Sequence, residues 1–516
     1  MGDPDAKWRL APSVFIDLDE PRILLDHGAF AARGNDLSDA FAVVHVACQD
    51  APEGAVRLQA APSPALAGTA CLMARHHHHV FVAGRSGDHA FRGIIASCRA
   101  AGAHHKIGLR YGELERHTEG RKGLNDYVIR VVASLSDLDP KAWNTLLSAE
   151  AEPSPFMRYE YLAALHASGS AAPENGWTPQ FVTLWHGDEL RAACPAYIKT
   201  HSYGEYVFDW AWANAYEQHG LVYYPKAVVA VPFTPVPGAR LLARDAQSRT
   251  LLVQALVAWC KKEELSSLHL LFGADADIAA CTEAGLMLRN TVQFHWTNAV
   301  PGQPEGAAGY VDFDAFLASL SHDKRKKIRQ ERRKVADAGV TFRWSRGAGI
   351  AGSDWDFFYR CYARTYREHG NPPYLSRDFF RRMADTMPEA WLLFIAERAG
   401  KPIAASLIAL STHADDALVA YGRYWGALER VDCLHFEACY YQPLAWCIAH
   451  GATRFEGGAQ GEHKMARALM PVKTTSAHWL AHPAFADAVE RFLGREGEGI
   501  ESYMDHLGER SPFKAG

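Results

Sequence analysis

Five ionisable side chains fall within twelve residues of the stretch FEGGAQGEHKMARAL, Phe455 to Leu469: Glu456, Glu462, His463, Lys464 and Arg467. Gly457, Gly458 and Gly461 permit close backbone approach in the same stretch. Carboxylates here could take a proton from an amine, the cations could hold an anion, and free amides at a strand-to-helix turn could meet a developing oxyanion. The GxxxxGK[ST] spacing of a nucleotide-phosphate loop is absent.

A second group precedes it. VDCLHFEACYYQPLAWCIAHG, Val431 to Gly451, has helical spacing, with Glu437, Tyr441 and Leu444 on one face at i, i+4 and i+7. Pro443 should kink or interrupt the run, and Gly451 should close it. Phe436, Cys439 and Tyr440 give Glu437 apolar company, and burial there would raise its pKa toward a value suited to accepting an amine proton. The competing reading is a structural ion pair with Arg423 or another strand-borne cation. Tyr421 and Tyr424 of the strand ALVAYGRYWGALE supply hydroxyls that could orient a substrate or donate a proton. Glu437 or Glu462 is therefore the expected base.

The third group is cationic. SHDKRKKIRQERRKV, Ser321 to Val335, carries eight Lys or Arg in a chain of 54 basic and 59 acidic residues, net −5. Ser321 is an expected N-cap, and Ile328 and Val335 form one apolar stripe. Lys326, Arg329 and Arg333 fall in a narrow arc opposite Ile328, whereas Asp323 and Glu331 lie on its side. Such a ridge repels itself unless anions lie nearby, so phosphate or another polyanion is the expected ligand. Arg423, His463, Lys464 and Arg467 are further substrate- or anion-binding expectations.

An internal duplication must position these groups. FVTLWHGDELRAACPAYI around Gly187 and WLLFIAERAGKPIAASLIAL around Gly400 both read as β-hairpins. A helix ending in Trp-Cys and then a strand follows in each case, from Leu256 and from Leu444, and QFHW to Trp296 matches SAHW to Trp479. The expected fold is mixed α/β: two copies, 126–300 and 301–516, each a mixed sheet flanked by helices, with the active site in the second. The segment AVPGQPEGAAGY reads as a linker. Residues 1–125 fit neither copy. There HHVFVAG reads as a strand, HAFRGIIASCRAAG as a helix and a further strand follows, a small α/β module of unknown role. Four consecutive histidines, His76 to His79, cannot all face one ion from a single regular element, so no metal site is expected.

At 48% hydrophobic and 22% charged the composition is that of a globular protein, and near-neutral charge gives no general affinity for membranes or nucleic acid. The opening sequence has no basic region followed by an apolar run, which suggests a cytoplasmic protein without a transmembrane segment. Ten cysteines without CxxC pairs read as buried small hydrophobes.

The segments YYPKAVVAVPFTPVPGARLL, SHDKRKKIRQERRKV, YGRYWGA, LHFEACYYQPLAWCI and FEGGAQGEHKMARAL together resemble the FemAB-like predicted N-acyltransferases, described as peptidoglycan biosynthesis or recognition proteins, over roughly residues 128–514. The resemblance implies tandem domains of the Gcn5-related N-acetyltransferase superfamily. It also implies transfer of an acyl or aminoacyl group from an activated ester or thioester to an amine, possible tRNA contact through the basic helix and no tightly bound cofactor. Acyl-coenzyme A or aminoacyl-tRNA is the implied donor. The superfamily's [RQ]xxGx[GA] pyrophosphate loop is replaced here by GALERVDCLH. A non-catalytic module that binds cell wall or nucleic acid is the alternative.

Overall fold

The structure, a computed structural model, describes residues 127–516 except 305, 414, 415, 459, 460, 515 and 516, and adds short strands among the first 126 residues. The chain divides into two compact units, one made of most of residues 1–126 and the other of 127–516 with 11–16 and 21–27. In the first unit Phe41–Ala47 and Cys71–Ala74 flank His79–Arg85, and Ile95–Ala100 pairs with Ala103–Gly108. Ile95–Ala100 was expected to be helical. Cross-strand pairing with its neighbour satisfies the same backbone groups and overrides the local helical pattern. His76 to His78 lie outside the described residues.

In the larger unit the first copy lays down β1 (Tyr127–Val132), β2 (Trp177–His186), β3 (Glu189–Lys199), β4 (Lys226–Val229) and β5 (Ser267–Gly273) side by side. Pairing is antiparallel from β1 to β4 and parallel between β4 and β5. Helix α1 (Ala246–Lys262) joins those last two strands, and β6 (Met287–Thr297) follows. The second copy repeats the order with β7 (Val340–Arg346), β8 (Trp391–Arg398), β9 (Lys401–Thr412), β10 (Leu418–Ala427), β11 (Arg454–Glu456) and β12 (Met470–Leu480). Again β7 to β10 are antiparallel and β10 and β11 parallel. The duplicated hairpins, helices and strands are thus borne out.

Their separation into two self-contained sheets is not. β6 leaves the first copy to pair with β11 of the second, and β12 returns to pair with β5 of the first. β6 and β12 pair antiparallel with each other, which makes one continuous sheet. Met287 lies opposite His478 and Met470 opposite His295, while Thr291 and Thr474 meet at the centre with their hydroxyls 2.8 Å apart. Because QFHW corresponds to SAHW, this register is self-complementary, as in a two-fold interface. Each parallel pair would otherwise end in an unpaired edge, and the exchange covers both.

Three further features shape the site. Pairing of β10 with β11 stops at Tyr421 opposite Glu456. Gly422 permits this crossing, since a Cβ there would lie 3.1 Å from the Phe455 ring and 3.3 Å from the Glu456 carbonyl oxygen. The basic helix α2 (His322–Asp337) and helix α3 (Gly352–Glu368) precede β8, and a Cβ at Gly426 would collide with the Cys361 carbonyl of α3. After β10 comes α4, built as Leu434–Phe436, a wide π turn over Glu437–Tyr441, and Gln442–Ala449. Pro443 has no N–H to bond back, and its ring would strike the Cys439 carbonyl in a regular helix, so the expected interruption takes the form of this π turn. Gly451, at φ 69°, closes the helix as expected.

Candidate active site

Where β10 and β11 part, Glu456 ends β11 almost fully enclosed, 5% exposed. Its Oε1 lies 3.2 Å from Nε of Arg454, and its Oε2 lies 3.8 Å from Nε2 of His295 on β6. Burial lifts its pKa to about 7 against the opposing pull of Arg454, and Glu152 adds to the rise. His295 is pushed down to about 3, first by burial and then by Arg454, so it is neutral near pH 7. Oε2 of Glu456 has no hydrogen-bond partner among the described residues, which leaves it a free acceptor for an N–H.

Tyr421, opposite Glu456 in register, is buried and packs edge-on against Phe156 of the first copy at 5.4 Å. Burial and then Glu456 raise its phenol pKa, keeping it protonated. Arg423 does not pair with Glu437. Its Nη2 donates to the Phe233 carbonyl at 3.1 Å, to Oγ1 of Thr234 at 3.4 Å and to the Tyr424 hydroxyl at 3.1 Å. Phe233 and Thr234 belong to the Pro-rich loop after β4, so this loop of the first copy closes onto the second copy's central strand.

Glu437 is buried as expected, but its carboxylate is engaged. Arg332 of α2 donates to both oxygens at 3.2 Å, and Gln442 donates to Oε1 at 2.7 Å. With both oxygens occupied by donors, Glu437 fits the structural reading, with the cation on a helix rather than a strand. Beside it Arg467, also buried, donates to Oε2 of Glu331 at 2.8 Å and to the Tyr441 hydroxyl at 3.1 Å, and its guanidinium stacks 3.7 Å from the Phe436 ring centroid. Arg467 therefore anchors α2 to α4 rather than facing a ligand.

Glu462 is exposed. It accepts from the Tyr503 hydroxyl at 2.8 Å and from Arg510 at 3.0 Å, and these bonds hold its pKa below the ordinary carboxylate value. Both facts disqualify it as a base for an ammonium proton. His463 is exposed and lies 3.3 Å from the Tyr440 hydroxyl. Lys464 is buried, folds back to donate to the Gly458 carbonyl at 2.7 Å and has its pKa pushed down to about 8 by burial. The expected helix start after the glycines is only the 3-10 turn Glu462–Arg467, so it offers no set of aligned free amides.

On α2, Ile328 and Val335 are buried and Lys326, Arg329 and Arg333 exposed, as the helical arc requires. Among the described residues none of these three has a carboxylate partner, whereas Lys334 lies 3.9 Å from Asp432. Ser321 stands at the N-cap without a side-chain cap bond, and its backbone N–H donates to the Pro512 carbonyl, which ties the helix start to the C-terminal segment. Asp323 is fully in solvent instead of on the Ile328 side. A cleft of about 470 Å³ collects Lys324, Glu462, His463 and Arg510, and another of about 510 Å³ lies between Asn144, Ser154, Arg158 and Ser411.

The structure thus gathers Glu456, Tyr421, Arg423 and Tyr424 at the parting strands, and sets Glu437 and Arg467 in a separate helix-to-helix network. Sequence reasoning named Glu456 among the carboxylates but did not select it. The available signal was that RFE forms a strand between covered neighbours, where a charged side chain is costly unless it has work.

Among the described residues no group of three or more His, Cys, Asp or Glu is placed to hold a metal ion, and no helix is long and apolar enough to cross a membrane. Cys194, Cys260, Cys281, Cys361 and Cys447 are buried and free.

Among solved structures, the chain is similar to a tandem GNAT protein from the clavulanic acid biosynthesis pathway: 13% identity, covering 69% of this chain and 99% of that one, TM-score 0.37. A putative lysylphosphatidylglycerol synthetase C-terminal domain from Agrobacterium fabrum gives 10% identity over 49% and 80%, TM-score 0.36. A GCN5-related N-acetyltransferase from Kribbella flavida gives 15% over 61% and 94%, TM-score 0.25. No curated protein sequence matches significantly. The family model described as FemAB-like, peptidoglycan biosynthesis/recognition, matches residues 134–515, and the chain belongs to that family.

Proposed function

We propose that the protein is an N-acyltransferase whose reaction takes place where β10 and β11 part, with Glu456 as the base and an amine of a cell-wall precursor as the acceptor. The observation that carries this reading is Glu456, a buried carboxylate with its pKa lifted to about 7, a free Oε2 and a protonated phenol opposite. Its affinity for protons is matched to an amine attacking near neutral pH.

Glu456 accepts a proton from the acceptor's nitrogen as that nitrogen attacks the acyl carbonyl. A C–N bond forms, and the tetrahedral oxyanion takes a hydrogen bond from Tyr421 or Tyr424. Collapse breaks the bond to the leaving sulfur or oxygen, which takes up the proton that Glu456 accepted. Positioning the reactants is worth up to roughly 7–11 kcal/mol, and each oxyanion donor about 2.7–4 kcal/mol. The exposed Lys326, Arg329 and Arg333 supply charge for a phosphate-bearing donor, with acyl-coenzyme A and aminoacyl-tRNA as the two classes to compare.

The test is turnover of an amine panel with both donors. Wild-type kcat/KM should rise with pH through a limb near 7, and E456Q should lose both the limb and at least 100-fold in rate, about 2.7 kcal/mol, while E462A stays near wild type. Full activity in E456Q would overturn the assignment of the base.

A further inference from the structure

Arg423 leaves a positive charge at the parting strands that forms no ion pair among the described residues, its electrostatic reach to Glu456 being longer than a contact. Its hydrogen bonds go only to neutral oxygens, those of Phe233, Thr234 and Tyr424, and its Nε has no partner. Among the described residues no carboxylate lies within ion-pairing distance. The guanidinium sits 5.0 Å from the Phe156 ring centroid and 4.9 Å from that of Tyr424. A cation enclosed among rings and phenols is costly unless an anion joins it.

Aromatic side chains surround the guanidinium. Tyr374 stacks on Phe233 at 4.8 Å and 12°, and Tyr366 meets Tyr374 edge-on at 5.2 Å. Tyr206, Tyr366 and Tyr374 remain partly exposed and form a rim. Phe233 and Tyr206 both hold left-handed backbone, φ 58° and 63°, unfavourable for aromatic residues. Strain of this kind persists where the surroundings enforce it, and both residues come from first-copy loops brought to the second copy's strand.

We propose that Arg423, with Tyr424 and the rim of Tyr206, Tyr366 and Tyr374, binds a carboxylate of the amine acceptor, so that the acceptor is an amino acid or peptide rather than an amino sugar or amino lipid. This rests on the acyl-transfer reading. One guanidinium matches a planar monoanion, while a phosphate dianion would call for a second cation. A monocarboxylic acyl group in ester or thioester linkage has no free carboxylate, and with such a donor the group bound belongs to the acceptor. Arg423 lies two residues beyond Tyr421, roughly 7 Å along the strand from the level of Glu456, so amine and carboxylate only a few bonds apart can reach both.

The experiment is calorimetric titration of the full chain with a panel of L-amino acids and dipeptides, the same compounds as C-terminal amides, and inorganic phosphate. Free carboxylates should bind at least tenfold more tightly than their amides, R423M should erase that difference, R423K should restore part of it, and E456Q should keep it. Equal binding of acids and amides, binding by no panel member, or displacement of the bound acid by phosphate would each overturn the proposal. Should R423M fail to fold, the acid-against-amide comparison on the native chain decides alone. A chain that binds acids but transfers no acyl group would sink the transfer reading and leave this site standing. Equal acylation of acid and amide would do the reverse.

Discussion

At the scale of single residues, burial separates carboxylates that look alike in sequence. Glu331 is enclosed with Arg467, and removing either partner leaves an uncompensated charge. E331A should cost about 3–5 kcal/mol in a urea titration, whereas E462A, whose pair with Arg510 is in solvent, should leave the urea midpoint nearly unchanged. Glu456 gives a pH signature. Its folded pKa stands above its unfolded value, so the stabilisation it supplies is fully present below about pH 4.5 and is lost as pH rises through about 7. Wild type should therefore lose about 3 kcal/mol relative to E456Q between pH 4 and 8, read from urea midpoints, and parallel curves would refute the shift. Glu456 was legible as a carboxylate in a strand. Its selection over Glu437 and Glu462 depended on Arg332, Arg510 and Tyr503, each distant in the chain.

At the scale of elements, the basic helix shows what periodicity can deliver. Its buried stripe and exposed ridge follow from 100° per residue and were read directly. Replacing Lys326, Arg329 and Arg333 by alanine should change stability by less than about 0.5 kcal/mol, since none is packed or paired among the described residues. Binding to a single-stranded polyanion should weaken, and its salt slope should fall by about 0.7 per lost phosphate contact. An unchanged slope would mean the ridge is only a solvated face. The π turn in α4 was half legible, because Pro443 announces an interruption but not its form. Packing against α2 settles that form, with Arg332 holding Glu437 and Arg467 reaching Tyr441.

At the scale of the whole molecule, the exchange of β6 and β12 makes each half incomplete. The first copy's β5 pairs with β12, and the second copy's β11 pairs with β6. Residues 127–300 and 301–516 expressed separately should aggregate through exposed sheet edges, and co-expressed they should co-purify as one folded species. A soluble, cooperatively unfolding first half alone would show that the exchange is dispensable. The same arrangement brings the Pro-rich loop after β4 onto Arg423, so the candidate site draws on both copies.

The sequence alone determined the repeated order of hairpin, helix and strands, the two faces of the basic helix, the closing glycine of α4 and the family resemblance. All of these rest on local periodicity, turn chemistry or similarity between stretches of one chain. The tertiary structure decided the partner of each final strand, the surroundings of the three glutamates and the neighbours of Arg423. Strand exchange satisfies the same hydrogen bonds as an unexchanged pair, so no local pattern distinguishes the two. A carboxylate's pKa and pairing depend on charges brought near by folding, and spacing along the chain does not record them.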